Sequence, residues 1–299
     1  MKLNINAAIF FISSILLYSS CSNFSHEEKP VSNSKSVTAI LGAFEREVTL
    51  LEDRLTDRHE QEIENIQFMT GRLNGQKVVV AWTGIGKVNA AMTTTLLIEH
   101  FKPKYIIFTG IAGAVNPELR PGDIVIAEKT AHHDMGTVWP EGLFVKGVKN
   151  RLDGIENPVF FPADEKLITC AERAAKLIDM QRVETVAGRR KPKIIKGVIV
   201  TGDSFIASAE KCAELRKKLQ ADAVEMEGAA VAQICYQRQI KHLIIRSISD
   251  SADEGAVLDK QMFYVLAAKN CSDLVAEMIS LLGSEFSMDK NIGNKNSGS

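Results

Sequence analysis

Two carboxylates open a helical pattern in Gly42-Ala-Phe-Glu-Arg-Glu47. Two more flank a methionine in Val224-Glu-Met-Glu-Gly-Ala-Ala230, and Ile245-Arg-Ser-Ile-Ser-Asp250 ends an apolar run with Arg246, Ser249 and Asp250. Each has an ordinary structural use: acids complement a helix macrodipole or cap a helix, Met226 fills a core, Arg246 and Asp250 form an ion pair. Gathered at one edge of an apolar sheet they amount to more, because removing several ionisable groups from water is costly unless function requires it. Such a gathering marks a candidate functional site.

Three other segments invite a chemical reading. Thr109-Gly-Ile-Ala-Gly-Ala-Val115 is a glycine turn after a strand, serving either as a tight strand-to-helix connection or as a ligand cradle. Thr83-Gly-Ile-Gly-Lys87 imitates a nucleotide loop, but Asn89 stands where Gly-x-Gly-x-x-Gly needs its last glycine, and there is no Walker spacing. His132-His133-Asp134 suggests a metal, yet adjacent side chains on an extended segment point to opposite sides, so no metal is expected.

The elements that must position these residues alternate. Val37–Leu41, Val78–Trp82, Tyr105–Phe108, Asp123–Ala127, Gly197–Thr201 and Leu243–Ser247 are near-continuous apolar runs of strand length. Between them Glu45–Leu55, Lys87–Phe101, Ala163–Met180, Ala207–Leu219, Met226–Arg238 and Asp259–Leu282 have helical length and spacing. The pattern predicts a three-layer α/β domain around a mostly parallel sheet, with ligands collecting where strands end.

The chain has 299 residues, 36 Lys+Arg against 37 Asp+Glu, and 45% apolar residues. That balance excludes wholesale disorder and a general nucleic-acid binder, which would carry a basic excess. Lys2, the apolar run Ala7–Leu17 and small residues before Cys21 form a secretory signal, too short to span a bilayer stably. The small residues ending in Cys21 also resemble a bacterial lipobox, with Tyr18 where Leu is usual, which makes lipid anchoring through Cys21 an expectation beside plain secretion. The expected organisation is a signal at 1–21, a polar tether at 22–36, one domain at 37–283 and a disordered tail at 284–299. Cys170, Cys212, Cys235 and Cys271 show no metal spacing and are expected as buried thiols.

Taken in order, Gly42–Val48, Gly84–Val88, Thr109–Gly113, Pro121–Val125, Gly202–Ile206, Val224–Glu227 and Arg246–Asp250 resemble the motifs of the 5′-methylthioadenosine/S-adenosylhomocysteine nucleosidases of the purine nucleoside phosphorylase superfamily. The resemblance covers Val37 to Leu282. It implies a three-layer α/β sandwich with a mixed, partly barrel-like sheet, a homodimer whose pocket borrows residues from the neighbouring chain, and hydrolysis of a ribose–adenine bond without metal or organic cofactor. Asp250 would share a proton with adenine N7, steadied by Ser249, and Glu47 would deprotonate the attacking water with Arg246 nearby. Glu227 would hold the ribose hydroxyls, Met226 would lie against the sugar, and Glu225 would support that region. Phe205 would stack on adenine and the Ile206 backbone would pair with its edge, while Ile85, Ile111, Ala112 and Gly113 would line the pocket. Ile111 replaces a common Ser whose hydroxyl can hold the water, Ala114 a common Gly and Phe44 a typical Met.

Two alternatives follow from the same residues. A phosphorylase of this fold would need an anion site, which Glu47 and the aliphatic Ile111 oppose. Futalosine-type nucleosides are a further substrate class. Arg189, Arg190, Lys191, Lys193 and Lys196, followed by Lys211, Arg216, Lys217 and Lys218, form either a solvated surface or a patch for sulfated polysaccharide, as in an exported adhesin.

Overall fold

The computed structural model describes residues 36–185, 188–252 and 256–293. The signal segment, the tether up to Lys35 and residues 294–299 lie outside them. The chain begins with β1 (Thr38–Gly42), α1 (Glu45–Glu52), the strands β2 (Thr56–Ile63), β3 (Ile66–Leu73) and β4 (Gln76–Trp82), then α2 (Lys87–Phe101) and β5 (Tyr105–Ala114). There follow β6 (Ile124–His132), the hairpin β7 (Gly136–Trp139) and β8 (Gly142–Val145), β9 (Phe160–Pro162), α3 (Glu165–Leu177) and the hairpin β10 (Val183–Thr185) and β11 (Gly188–Arg190). The last part is β12 (Ile194–Thr201), α4 (Ala209–Leu219), β13 (Ala223–Glu225), α5 (Gly228–Gln237), β14 (Lys241–Asp250) and α6 (Ala256–Gly293).

The main sheet runs β13-β12-β6-β14-β5-β1-β4-β3-β2, with β9 added to β6. Its β5 turns back to pair antiparallel with β13, Ala114 opposite Ala223 and Gly113 opposite Val224. This contact closes β13, β12, β6, β14 and β5 into a ring, while β1, β4, β3 and β2 continue as an open wing. Successive side chains of a strand point to opposite faces, which sorts the core into two layers. Ile40, Val80, Ile107, Ile126 and Ile245 pack with α1, α3 and α6. Leu41, Val79, Phe108, Val125 and Ile244 pack with α2 and α5. The sheet is therefore covered on both faces, the three-layer arrangement expected of continuous apolar runs.

Several expectations change. Thr109–Ala114 is not a turn but the second half of β5, and its residues are all buried. Helix α6 continues through Ser284 to Gly293, so the tail segment is helical up to that residue. Its polar composition signalled little burial, but a helix without proline does not need burial along its whole length. The β2–β3 hairpin was not foreseen: seven of the eight β2 residues are exposed, leaving no apolar alternation to read. Cys170, Cys212, Cys235 and Cys271 are buried thiols.

Candidate active site

The site lies where β5, β13 and β14 meet at the closing edge of the ring. Asp250, the last residue of β14, is 2% exposed. Its Oδ2 accepts from Ser249 Oγ at 2.6 Å, and its Oδ1 accepts from the Ala252 N–H at 2.9 Å. Ser249 Oγ also lies 3.4 Å from the Ala112 carbonyl. A Cβ placed on Gly113 would stand 2.9 Å from Asp250 Oδ1, so this glycine serves the close approach of the carboxyl to the strand.

A second group of ionisable side chains sits along the same strand. Glu47 is buried and folds back onto the start of α1, accepting from the N–H groups of Ala43 at 2.6 Å and Phe44 at 3.1 Å. Its other oxygen accepts from the Ile111 N–H at 3.0 Å, which ties α1 to β5. Glu47 and Arg246 meet over Gly110, where an added Cβ would lie 2.7 Å from Glu47 Oε1 and 2.9 Å from Arg246 Nη1. The guanidinium donates to Glu225 at 2.6 and 3.2 Å, lies 3.9 Å from Glu227 Oε2, and covers the Phe108 ring at 4.1 Å. Glu225 also accepts from the Thr201 hydroxyl and the Gly228 N–H, so it caps α5 as well as pairing with Arg246. Glu227 accepts from the Gly86 N–H at 2.9 Å.

Three buried carboxyls thus surround a single cation. Burial pushes the Glu47 carboxyl above its usual range, against the pull of Arg246 and three backbone N–H groups. Burial, reinforced by the charge of Glu225, pushes Glu227 up to about 8 in spite of Arg246. A carboxyl that holds its proton more tightly in the folded chain stabilises the fold below the unfolded value, and this stabilisation is lost as pH rises through the folded value. Stability should therefore fall between about pH 4.5 and 8, by up to about 1.4 kcal/mol for each unit of difference. Glu227→Gln should flatten that slope in urea titrations at pH 5, 6, 7 and 8; parallel profiles for the two proteins would contradict it.

A cavity beside this group is walled by Phe44, Phe205, Met226 and Glu227, by Ile111, Ala112 and Gly113 of β5, and by Glu225, Ser249 and Asp250. Most of the expected substrate-contacting residues are brought together here. Glu47 and Arg246 are not in the wall but stand behind it, at Gly110. The Ile206 side chain packs beside the small core under α4, which leaves the expected role of its backbone open, and Ile85 is 49% exposed on the loop before α2. Thr201, Phe108 and the Gly86 N–H were missed, because a hydroxyl, a phenyl ring or an amide carries no motif of its own.

Much of the basic run is paired with acids. Arg190 turns inward to buried Asp123 at 2.6 Å and to the Pro121 carbonyl at 2.5 Å. Arg189 pairs with Glu184, Lys196 with Glu172, Lys211 and Lys218 with Glu214, and Arg216 with Asp222. Acids thus stand beside Arg189, Arg190 and Lys196, an arrangement that fits the solvated-surface alternative for this run. His132 bonds Gln233 through Nε2 at 3.0 Å, and no metal-binding group of His, Cys, Asp and Glu is found among the described residues.

Comparison with known proteins agrees with this geometry. The phosphorylase superfamily model matches residues 37–280. A 5′-methylthioadenosine/S-adenosylhomocysteine nucleosidase from Geobacillus sp. (strain WCH70) is 40% identical over 82% of this chain and 98% of its own. The solved nucleosidase of the same description from Neisseria meningitidis, in complex with methylthio-immucillin-A, is 35% identical, with a TM-score of 0.71 over 82% of this chain and 99% of that one. Futalosine hydrolase of Helicobacter pylori strain 26695 is 29% identical, with a TM-score of 0.68 over 82% and 97%. Sequence, sheet closure and relatives agree: the chain belongs to the 5′-methylthioadenosine/S-adenosylhomocysteine nucleosidases of the phosphorylase superfamily and is an N-glycosidic hydrolase.

Proposed function

We propose that the protein hydrolyses the N-glycosidic bond of 5′-methylthioadenosine and S-adenosylhomocysteine, releasing adenine and the thioribose. The observation that carries this reading is the gathering of three acid side chains, Glu47, Glu225 and Glu227, around Arg246. As the bond breaks the sugar becomes cationic, and carboxyl groups already in place can stabilise it in so far as they are ionised. Phosphate is not favoured by this arrangement, since Arg246 is already paired with Glu225. Water is therefore the acceptor.

In this reading Asp250 shares a proton with adenine N7, held in orientation by Ser249. Glu47 takes the proton from the attacking water, the raised proton affinity of its buried carboxyl suiting it to a base. Glu227 bonds the ribose hydroxyls, with Met226 against the sugar and Phe205 against the base. Incubating the protein with methylthioadenosine, S-adenosylhomocysteine and futalosine, with and without phosphate, tests it. Adenine and free methylthioribose at rates independent of phosphate are expected; methylthioribose 1-phosphate, or cleavage of futalosine alone, would overturn it.

The protein further acts as a homodimer in this reading. Val88 and Met92 on α2 and Ile85 on the loop before it are all about half exposed or more, with Trp82 beside them in sequence and Val138, Trp139 and Phe144 exposed on the β7–β8 hairpin. Apolar surface of this kind is what a partner covers. Export, with Cys21 as a lipid-bearing N-terminus, rests on the leader pattern; the mass of the mature N-terminal peptide decides it.

A further inference from the structure

The loop Thr83–Lys87, which imitates a nucleotide loop in sequence, has a different use in the fold. Gly86 has φ +92°, a conformation that favours glycine, and the two consecutive N–H groups at the start of α2 are aimed at two carboxylates. The Gly86 N–H donates to Glu227 at 2.9 Å, and the Lys87 N–H donates to Asp203 Oδ1 at 2.8 Å. Asp203 lies two residues before Phe205, in the connection between β12 and α4. The Lys87 ammonium reaches Asp134 at 2.6 Å and Asp203 Oδ2 at 3.6 Å, and the Asp203 N–H donates to Asp134 Oδ2 at 2.9 Å. Burial pushes Asp134 up, but Lys87 and the Asp203 N–H outweigh it and hold its carboxyl below the usual range. Three separate segments are thus tied together beside the cavity by Asp134, Lys87 and Asp203.

From this arrangement we infer that Asp203 is a positioning residue, latched by Lys87 and Asp134, which holds the Phe205 wall of the cavity in register with Glu227. The inference rests on the assignment of Phe205 to the adenine end and Glu227 to the ribose end. The coupling has a simple mechanical form. One peptide turn, Gly86-Lys87, carries both attachments, so the wall for the base cannot shift without moving the donor that orients the acid for the sugar. Releasing Asp203 leaves every group of the proton-transfer machinery in place and loosens one wall. Substrate and transition state then lose the same contact, which raises KM with little change in kcat.

Asp203→Ala should raise KM for methylthioadenosine roughly tenfold and weaken adenine binding by the same factor, with kcat within about twofold, the pattern of lost uniform binding. Asp203→Asn, which keeps an acceptor for the Lys87 N–H, should recover part of the loss. Lys87→Met, which removes only the ammonium, should fall between the two and stands as the test if Asp203→Ala does not fold. Arg238→Ala, at a distant surface pair with Glu99, serves as the unchanged control. Amide exchange in the unliganded protein supplies a readout independent of substrate identity: the segment 202–207 should exchange faster in Asp203→Ala and in Lys87→Met. Unchanged exchange there, or unchanged adenine affinity with a fall in kcat, would overturn the inference. Faster exchange in a protein whose wild type binds no adenine would leave the latch standing and sink the assignment of the pocket.

Discussion

Asp250→Asn should keep adenine binding while losing nearly all nucleoside cleavage, with kcat lower by roughly 10²–10⁴-fold, the range a positioned general acid contributes. The variant can be accommodated by the surrounding hydrogen bonds. The amide oxygen can still accept from the Ala252 N–H, and Ser249 Oγ, now facing an NH₂ group, can turn its proton to the Ala112 carbonyl 3.4 Å away. The NH₂ group can also donate a hydrogen bond to a ring nitrogen, so the base is still recognised. What it cannot do is surrender a proton to the leaving adenine. Ser249→Ala should cost less than Asp250→Asn, because it removes a bond that orients the carboxyl and leaves the carboxyl itself, still held by the Ala252 N–H. Single-turnover release of adenine, with adenine affinity measured by calorimetry, separates the two effects. Turnover in Asp250→Asn within about tenfold of wild type would remove Asp250 from the acid's role, since general acids contribute at least about that much.

The legibility of this site in the sequence divides along a physical line. Glu47, Glu227, Arg246 and Asp250 were readable because ionisable groups beside apolar strands are costly, and their types announce the cost. The glycines were misread for the opposite reason. Gly110 and Gly113 carry no side chain to explain their presence, and turn and close approach look alike until neighbours are known. In the fold they leave room for Glu47, Arg246 and Asp250 against β5, which a turn reading cannot supply. The closure of the ring was equally hidden. β13 has three residues, Ala223–Glu225, too few for periodicity to declare, and it was absorbed into the approach to α5. The latch at Asp203 was unreadable because its partners lie 69 and 116 residues away in the chain.

Arg246→Met should destabilise the fold by about 3–5 kcal/mol, the cost of breaking a buried ion pair by removing one partner. Arg246 is 1% exposed and is the cation shared by Glu225, Glu227 and Glu47. Methionine can fill much of the stem's volume and keep a contact with the Phe108 ring, so lost packing is the smaller part of the expected change. The larger part is charge: whichever of the three carboxyls is ionised, Glu225 above all as the direct ion-pair partner, remains in a buried space without a counter-ion. One relief is for a carboxyl to take up a proton, which predicts a deficit that grows with pH. A better relief is to remove the charge by design. In the double variant Arg246→Met/Glu225→Gln, the amide can still accept from Thr201 or Gly228, and more than half of the lost stability should return. Activity should not return with it, because the acid and base would then face a site whose charge is no longer arranged around the sugar. Urea unfolding of both single variants and the double variant at pH 6 and pH 8 separates these terms. A single variant within about 1 kcal/mol of wild type would mean that the buried cluster is solvated or protonated well enough to need no cation, since removing one partner of a buried ion pair is otherwise strongly destabilising. The argument that Arg246 is held by its carboxyls and is not free for phosphate would then lose its basis.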